Sequence, residues 1–179
     1  MEDIARKCNG MSGAELANVV NESAILAARK RKEIVEMEEM VEAIEKVQIG
    51  LVKKGARGSE SHQRLIAYHE SGHALLGLLM DDFDTVSKVS ILSRGRSVGT
   101  TIFDLHEESM NSGLFTRDYL LNSICVALGG RAAEEIALGG EMVSSGGLDD
   151  FQYSTEIAEK MVKEMGMSEV VGPRSVLFE

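Results

Sequence analysis

Residues 67–74 read Ala67-Tyr68-His69-Glu70-Ser71-Gly72-His73-Ala74, the pattern His-Glu-x-x-His inside a segment with helical periodicity. Residues four apart share one face of an α-helix, so His69 and His73 present their imidazoles at a spacing that one tetrahedral metal ion can bridge. Glu70 lies beside these two ligands, where a zinc hydrolase needs a general base that reaches the water on the metal. The stretch therefore predicts a catalytic zinc site on a helix.

Apolar residues on both sides of this pattern predict that the helix belongs to the protein core: Leu65, Ile66, Leu75, Leu76, Leu78 and Leu79. A buried polar group without a partner costs about 1–3 kcal/mol, so two histidines and a glutamate in such a helix need partners. A metal ion supplies one. The alternative, three polar residues on the solvent face of an ordinary helix, does not account for the apolar flanks.

The composition is that of a soluble globular protein. Of 179 residues, 44% are hydrophobic and 27% charged, and the formal net charge is -10. An acidic surface argues against nucleic acid as a partner, because phosphate binding needs basic residues. One proline and 4% aromatic residues favour a mainly α fold built on aliphatic side chains. No apolar run is long enough to span a bilayer, and no signal or transit peptide begins the chain, so we expect it to be soluble.

The first fifty residues predict three short helices, at Glu2–Cys8, after Ser12 and at Met37–Ile49. Ser12 and Glu15 form a Ser-x-x-Glu capping box that predicts the start of the second helix. The glycine-rich, basic stretch 50–61 then predicts a linker, and we place a domain boundary near residue 55, between domains 1–54 and 55–179.

Beyond the linker, the pattern predicts a long helix from Glu60 to Met80, helices at Arg117–Leu138 and Asp149–Gly166, and two strands with a tight connection, Val86–Leu92 and Val98–Phe103. The pair Gly129-Gly130 inside a helix indicates close packing against another backbone.

The second strand has two interpretations. A strand edge near a zinc site can bind a peptide in extended form through main-chain hydrogen bonds, and a small structural hairpin is the alternative. The candidate substrate strand consists of Val98, Gly99, Thr100, Thr101, Ile102 and Phe103.

A catalytic zinc needs a third protein ligand and keeps its fourth position for water. The candidates are His62, His106, Glu134, Glu135, Asp149 and Asp150. His62 lies two helical turns before His69, about 10 Å along the axis, which is too far for the same ion. Spacing favours a glutamate on a following helix, Glu134 or Glu135, but does not separate these from the aspartates.

Residues 9–22, Asn-Gly-Met-Ser-Gly-Ala-Glu-Leu-Ala-Asn-Val-Val-Asn-Glu, resemble the end of the helical lid subdomain of AAA ATPases. The resemblance implies that Gly13 and Ala14 lie near the adenine or ribose of ATP, whereas the structural alternative is a plain helix start. The chain has no Gly-x-x-x-x-Gly-Lys-Ser/Thr phosphate loop, so it is not expected to bind ATP usefully.

Four ordered motifs closely resemble the protease domain of FtsH-type AAA metalloproteases: residues 65–74, residues 89–96, the segment Leu128-Gly129-Gly130-Arg131-Ala132-Ala133-Glu134-Glu135, and Ser145-Gly146 leading to Asp149-Asp150. The resemblance implies that Asp150 is the third zinc ligand, with Asp149 in place of the usual asparagine, Leu148 in place of a small polar residue and Ser71 where alanine is common. We expect Glu135 to orient a ligand histidine, or else to be a plain surface carboxylate.

The resemblance implies a mainly α chain, an AAA lid remnant followed by a helical zinc peptidase domain with a small β-hairpin or sheet. It further implies the Zn²⁺-dependent endopeptidase part of an ATP-dependent protease that degrades unfolded or damaged polypeptides, with a homo- or hetero-hexameric ring in full-length members. Membrane association in a bacterium, mitochondrion or plastid would come through segments absent here, and we expect a truncated chain. The alternative is a catalytically inactive scaffold or chaperone subunit. An ATP-binding regulator conflicts with the missing phosphate loop.

Overall fold

The computed structural model describes residues 2–53, 58–95, 97–105 and 113–176. The α-helices are α1 Glu2–Lys7, α2 Gly13–Arg29, α3 Met37–Gln48, α4 Glu60–Leu79, α5 Arg117–Leu138 and α6 Leu148–Lys163. The strands are β1 Thr85–Ser90 and β2 Thr100–Asp104, and two short 3-10 helices, Gly140–Met142 and Ser145–Gly147, lie between α5 and α6. The predicted mainly α fold with a small sheet is confirmed. None of the described helices has the length and apolarity required to cross a bilayer.

The chain forms two compact units, Met1–Arg57 with Leu92–Ser97, and Gly58–Ile91 with Val98–Glu179. The expected turn at 93–97 is present, since Arg94 and Ser97 pair with each other, but the regular strand pairing ends at Ser90 and Thr100. Most of the segment 91–99 belongs to the first unit. Arg94 explains the difference: its backbone pairs with Val52, and its guanidinium lies 2.8 Å from Glu45 Oε2. The boundary near residue 55 stays a prediction.

In the first unit, α2 and α3 pack around a core of Val19, Ala43 and Ile44. The predicted capping box is confirmed, since the Ser12 hydroxyl accepts a hydrogen bond from the Glu15 amide and the Glu15 carboxylate accepts one from the Ser12 amide.

A buried carboxylate lies in the same unit, at the start of α3. Glu39 is fully buried, and its Oε1 lies 3.0 Å from the Lys30 ammonium and 2.8 Å from that of Lys32. These two lysines are the partners that a buried charge requires.

In the second unit, α4 and α5 approach each other through glycines. A Cβ at Gly72 would lie 2.2 Å from the Gly129 carbonyl oxygen, and a Cβ at Gly129 would lie 2.8 Å from the Gly72 carbonyl oxygen. The close packing predicted from the glycine pair in α5 is therefore confirmed. This approach brings the inner face of α5 against the histidine face of α4.

The two strands form an antiparallel sheet that packs on α4. The register runs from Thr85 opposite Asp104 to Ser90 opposite Thr100, with a bulge between Val86 and Lys88. Strand β2 has β1 as its neighbouring strand, and a Cβ at Gly77 of α4 would lie 2.5 Å from the Phe103 ring. Strand β2 is thus held, near its end at Phe103, against the helix that carries the predicted metal ligands.

Candidate metal centre

Three side chains from α4 and α6 converge on one point. His69 Nε2 lies 3.0 Å from His73 Nε2 and 3.2 Å from Asp150 Oδ2, and His73 Nε2 lies 3.6 Å from that oxygen. Both histidines are buried, while Asp150 is half-buried at the first turn of α6. The structure therefore brings together the two histidines and the aspartate named by the resemblance.

The other ring nitrogen of each histidine has a partner that fixes its tautomer. His73 Nδ1 lies 2.8 Å from the Val126 carbonyl oxygen, which can only accept, so Nδ1 carries the proton. His69 Nδ1 lies 2.7 Å from Glu134 Oε1 and donates to that carboxylate in the same way. Each Nε2 then keeps its lone pair for a cation, the arrangement that metal-binding histidines need.

The residue that orients His69 is Glu134, and the role that we expected of Glu135 is corrected accordingly. Glu134 is 1% exposed and also accepts hydrogen bonds from the amide of Ser144 at 2.6 Å and from its hydroxyl at 2.9 Å. Glu135 is exposed, because it lies one position, or about 100° around the helix, from the buried face of α5. Glu134 thus connects α4 to the loop that precedes α6.

The helical periodicity of α5 could have indicated that Glu134, rather than Glu135, is the buried glutamate. The buried residues of this helix include a series at intervals of three or four, Leu120, Ser123, Val126, Gly130 and Glu134, with Ala127 and Gly129 beside it. Glu134 is in phase with this face and Glu135 is not.

The electrostatics of the cluster favour a bound cation. Burial lowers the pKa of His69, but the carboxylates of Asp150 and Glu134 raise it by more. The net effect is a raised pKa for His69. Burial also opposes ionisation of Asp150, yet the two histidines lower its pKa to about 2. Carboxylates that stabilise an imidazolium stabilise a metal ion at the same place.

Gly130 provides space beside the two histidines where their Nε2 atoms meet. A Cβ at this position would lie 2.5 Å from His73 Nε2 and 2.6 Å from His69 Nε2. Contacts under 3.0 Å force a rearrangement. Any side chain at position 130 would therefore collide with the Nε2 atoms of both histidines, a requirement that the sequence did not reveal.

Glu70 lies on α4 between the two histidines and is 6% exposed. Burial raises its pKa, and the hydroxyl of Thr101 and the two histidines oppose the rise. A carboxylate with a raised pKa, held next to a metal site, has the properties of a general base.

The cluster fits zinc. Nitrogen and oxygen ligands bind Zn²⁺ at about 2.0–2.1 Å in a tetrahedron, which separates neighbouring ligand atoms by roughly 3.3 Å. The three separations in the structure, 3.0, 3.2 and 3.6 Å, bracket that distance. Two imidazoles and one carboxylate are also the ligand types that catalytic zinc prefers.

The remaining candidates lie elsewhere or outside the described residues. His62 and Asp149 are exposed and do not take part in the cluster, and His106 is not among the described residues. Gly13 and Ala14 are exposed at the start of α2. Of the candidate substrate strand, residues 100–103 lie in β2, while Val98 and Gly99 precede it.

Two histidines four residues apart, a distant carboxylate and a buried glutamate beside them are the arrangement of side chains that zinc metallohydrolases use. Comparison with known families narrows this class. The family model of peptidase family M41 matches residues 56–178, and that of the AAA+ lid domain matches residues 1–42. The chain belongs to peptidase family M41, which confirms the resemblance found in the sequence.

Curated relatives match almost the whole chain. ATP-dependent zinc metalloprotease FtsH 3 of Synechocystis sp. is 48% identical over 173 residues, 97% of this chain and 28% of the relative. A chloroplastic FTSH 5 of Arabidopsis thaliana is 45% identical over 175 residues (98% and 25%), and an FtsH of Aquifex aeolicus is 43% identical over 180 residues (98% and 27%). The chain spans about a quarter of the length of these relatives. Their names describe zinc metalloproteases and do not favour an inactive scaffold.

Proposed function

We propose that residues 55–179 form the zinc-dependent endopeptidase part of an ATP-dependent protease and that residues 1–54 are part of an AAA lid. The convergence of His69, His73 and Asp150 beside Glu70 is the observation that carries this proposal. These residues, together with the glycine at position 130 that leaves room beside His69 and His73, argue against an inactive scaffold, because a chain that has lost its activity has no need to keep both.

Each residue has a defined part in peptide hydrolysis. His69, His73 and Asp150 would hold Zn²⁺, which polarises the peptide carbonyl and lowers the pKa of a bound water. Glu70 would take a proton from the attacking water and pass it to the nitrogen of the leaving amine. Glu134 would keep His69 in the tautomer that leaves Nε2 free.

The substrate is proposed to be an unfolded or damaged polypeptide that adds to the edge of β2 in extended form. Strand β2 has one neighbouring strand among the described residues, and it begins next to Glu70. Main-chain pairing of this kind tolerates many sequences, which suits a protease for unfolded chains.

For the whole protein, we propose ATP-driven delivery of substrates by a hexameric ring associated with a bacterial, mitochondrial or plastid membrane. The names of the relatives include ATP dependence, and residues 1–42 match the AAA+ lid. Gly13 and Ala14 near the nucleotide belong to the same proposal; ATP itself would need a phosphate loop, which this chain does not have.

Metal analysis combined with casein digestion tests the proposal. The purified chain should contain about one zinc per chain and should digest casein, and a chelator should abolish the digestion. Glu70→Gln should retain zinc and lose digestion, because the ligands remain while the base is removed. Zinc loss in that variant would contradict the role of Glu70, and a zinc-loaded wild type that leaves casein intact would favour the scaffold.

A further inference from the structure

The general base proposed for this site is held by a hydroxyl from the neighbouring strand. Thr101 Oγ1 lies 2.7 Å from Glu70 Oε2 and 3.2 Å from the Glu70 carbonyl oxygen. A hydroxyl has one proton to donate, and the shorter contact to the charged acceptor is the stronger one. Thr101 therefore donates to the carboxylate that would accept the proton from water.

The opposite side of the same carboxylate is bounded by Gly99. A Cβ at Gly99 would lie 2.5 Å from Glu70 Oε1 and 2.6 Å from Ile66 Cγ2. The backbone of residue 99 therefore packs directly against this oxygen. The Glu70 carboxylate is thus enclosed by the segment 99–101, with the glycine backbone at one oxygen and the threonine hydroxyl at the other.

This enclosure matters because the helix does not determine the orientation of the carboxylate. A glutamate side chain has three rotatable bonds, and fixing it costs conformational entropy that a partner must offset. Threonine is restricted at χ1, and Thr101 lies in a strand whose register with Val89 is fixed. A rigid donor on a paired strand is suited to hold a catalytic group in its productive geometry.

We propose that Thr101 is a positioning residue for Glu70: its hydroxyl holds the carboxylate in the orientation in which it accepts the proton from the attacking water. The inference rests on the proposed endopeptidase function, because it assigns Thr101 a part in that reaction. It also makes β2 serve two purposes, since the strand proposed to receive the substrate also fixes the base.

Three variants separate positioning from structure. Thr101→Val keeps the shape and removes the hydroxyl, Thr101→Ser keeps the hydroxyl, and Thr85→Val makes the same chemical change on exposed residue 85 of β1. Losing a hydrogen bond to a charged group should lower kcat about tenfold to a hundredfold in Thr101→Val. KM for a fluorogenic peptide and the zinc content should stay within about twofold. Thr101→Ser should recover most of kcat, and Thr85→Val should match the wild type.

Binding of acetohydroxamate, measured by calorimetry on the zinc-loaded proteins, gives a readout without turnover. A hydroxamate chelates zinc and gives its hydroxyl proton to a neighbouring carboxylate, so a misplaced Glu70 should weaken binding. We expect about tenfold weaker binding in Thr101→Val and in Glu70→Gln, and near-wild-type binding in Thr101→Ser.

The experiments distinguish a failure of the role proposed for Thr101 from a failure of the proposed endopeptidase function. Unchanged kcat and unchanged hydroxamate affinity in Thr101→Val would overturn the role of Thr101. A raised KM with constant kcat would do the same, because it would mean a substrate contact. If Thr101→Ser is as impaired as Thr101→Val, the hydroxyl is not the relevant group. A wild type without zinc-dependent turnover would contradict the proposed function, while the hydroxamate comparison would still test the contact between Thr101 and Glu70.

Discussion

Asp150 is the proposed ligand that comes from outside α4, and its neighbour Asp149 offers the same chemistry one position away. The two aspartates lie about 100° apart around the first turn of α6. Only Asp150 points between the histidines, with its Oδ2 3.2 Å from His69 Nε2. Two adjacent carboxylates of the same type thus have different environments because the helix turns between them.

Replacing each aspartate by alanine separates their roles. Asp150→Ala should lower zinc affinity by more than about tenfold, because the loss of a direct ligand costs at least as much as the loss of an outer partner. Asp149→Ala should keep the wild-type zinc content, since Asp149 is exposed. Zinc per chain, measured after dialysis against a weak chelator, distinguishes the two. Zinc loss in Asp149→Ala but not in Asp150→Ala would instead identify Asp149 as the ligand.

The sequence identified the proposed ligands of this site more completely than the residues that contact and orient them. His69, Glu70 and His73 form a local pattern, and their proximity follows from helix geometry alone. The contacts to Glu134 and Thr101 join residues 65 and 31 positions apart, and they depend on how α5 and β2 pack on α4. The phase of α5 could have separated Glu134 from Glu135. No local signal identifies Thr101 as the partner of Glu70.

At the scale of the elements, helix bounds were predictable because caps and periodicity are local. The strand ends beside the turn were not, because Arg94 pairs with Val52 and Glu45, about 40 and 50 residues away in the chain, as well as with Ser97 across the turn. A turn of this kind can pair across itself and also pair with a distant segment, as Arg94 does with Ser97 and Val52. The distant pairing depends on contacts that no short window of sequence contains.

Glu39 at the start of α3, paired with Lys30 and Lys32 of the connection from α2, is a pH-sensitive element. The Lys32 ammonium, assisted by Lys30, lowers the pKa of Glu39 from 4.5 to about 2 although burial opposes ionisation. A carboxylate whose pKa is lower in the folded state stabilises the fold above its unfolded pKa. That stability is lost as the pH falls through the window from 4.5 to about 2.

Urea unfolding across this pH window tests the element. Wild type should lose more stability between pH 5 and pH 2.5, both rough limits, than Glu39→Gln, whose amide does not titrate. Glu33→Gln serves as the matched control, because Glu33 is exposed in the same connection. Circular dichroism at 222 nm, roughly the helical minimum, follows the unfolding. Equal pH dependence in wild type and Glu39→Gln would show that the ion pairs do not couple to folding.

For the whole molecule, zinc would join segments that are distant in sequence. His69 and His73 lie on α4 and Asp150 on α6, so one ion links two helices of the second unit. A ligand that binds only the folded state stabilises it by about 4 kcal/mol at a thousand times its Kd. This stabilisation belongs to the second unit, since the three ligands lie there.

Hydrogen exchange after chelation measures where this stabilisation acts. Removal of zinc should raise amide exchange in α4 and α6, whereas α3 should exchange at its former rate because it lies in the first unit. Mass spectrometry of peptides from these helices, with and without a chelator, gives the comparison. A uniform increase over both units, or none in α6, would contradict the assignment of the ligands.

Gly130 carries a consequence for how active members of such a family are recognised. A single methyl group at this position would fill the place where His69 and His73 meet, yet every ligand and the base would remain in the sequence. A chain with alanine at 130 would still contain His-Glu-x-x-His. A search that considers only the reacting residues would therefore classify it as active. A substitution at position 130 could thus abolish activity and leave the motif intact. Identifying active proteases of this kind therefore requires checking that position 130 is glycine.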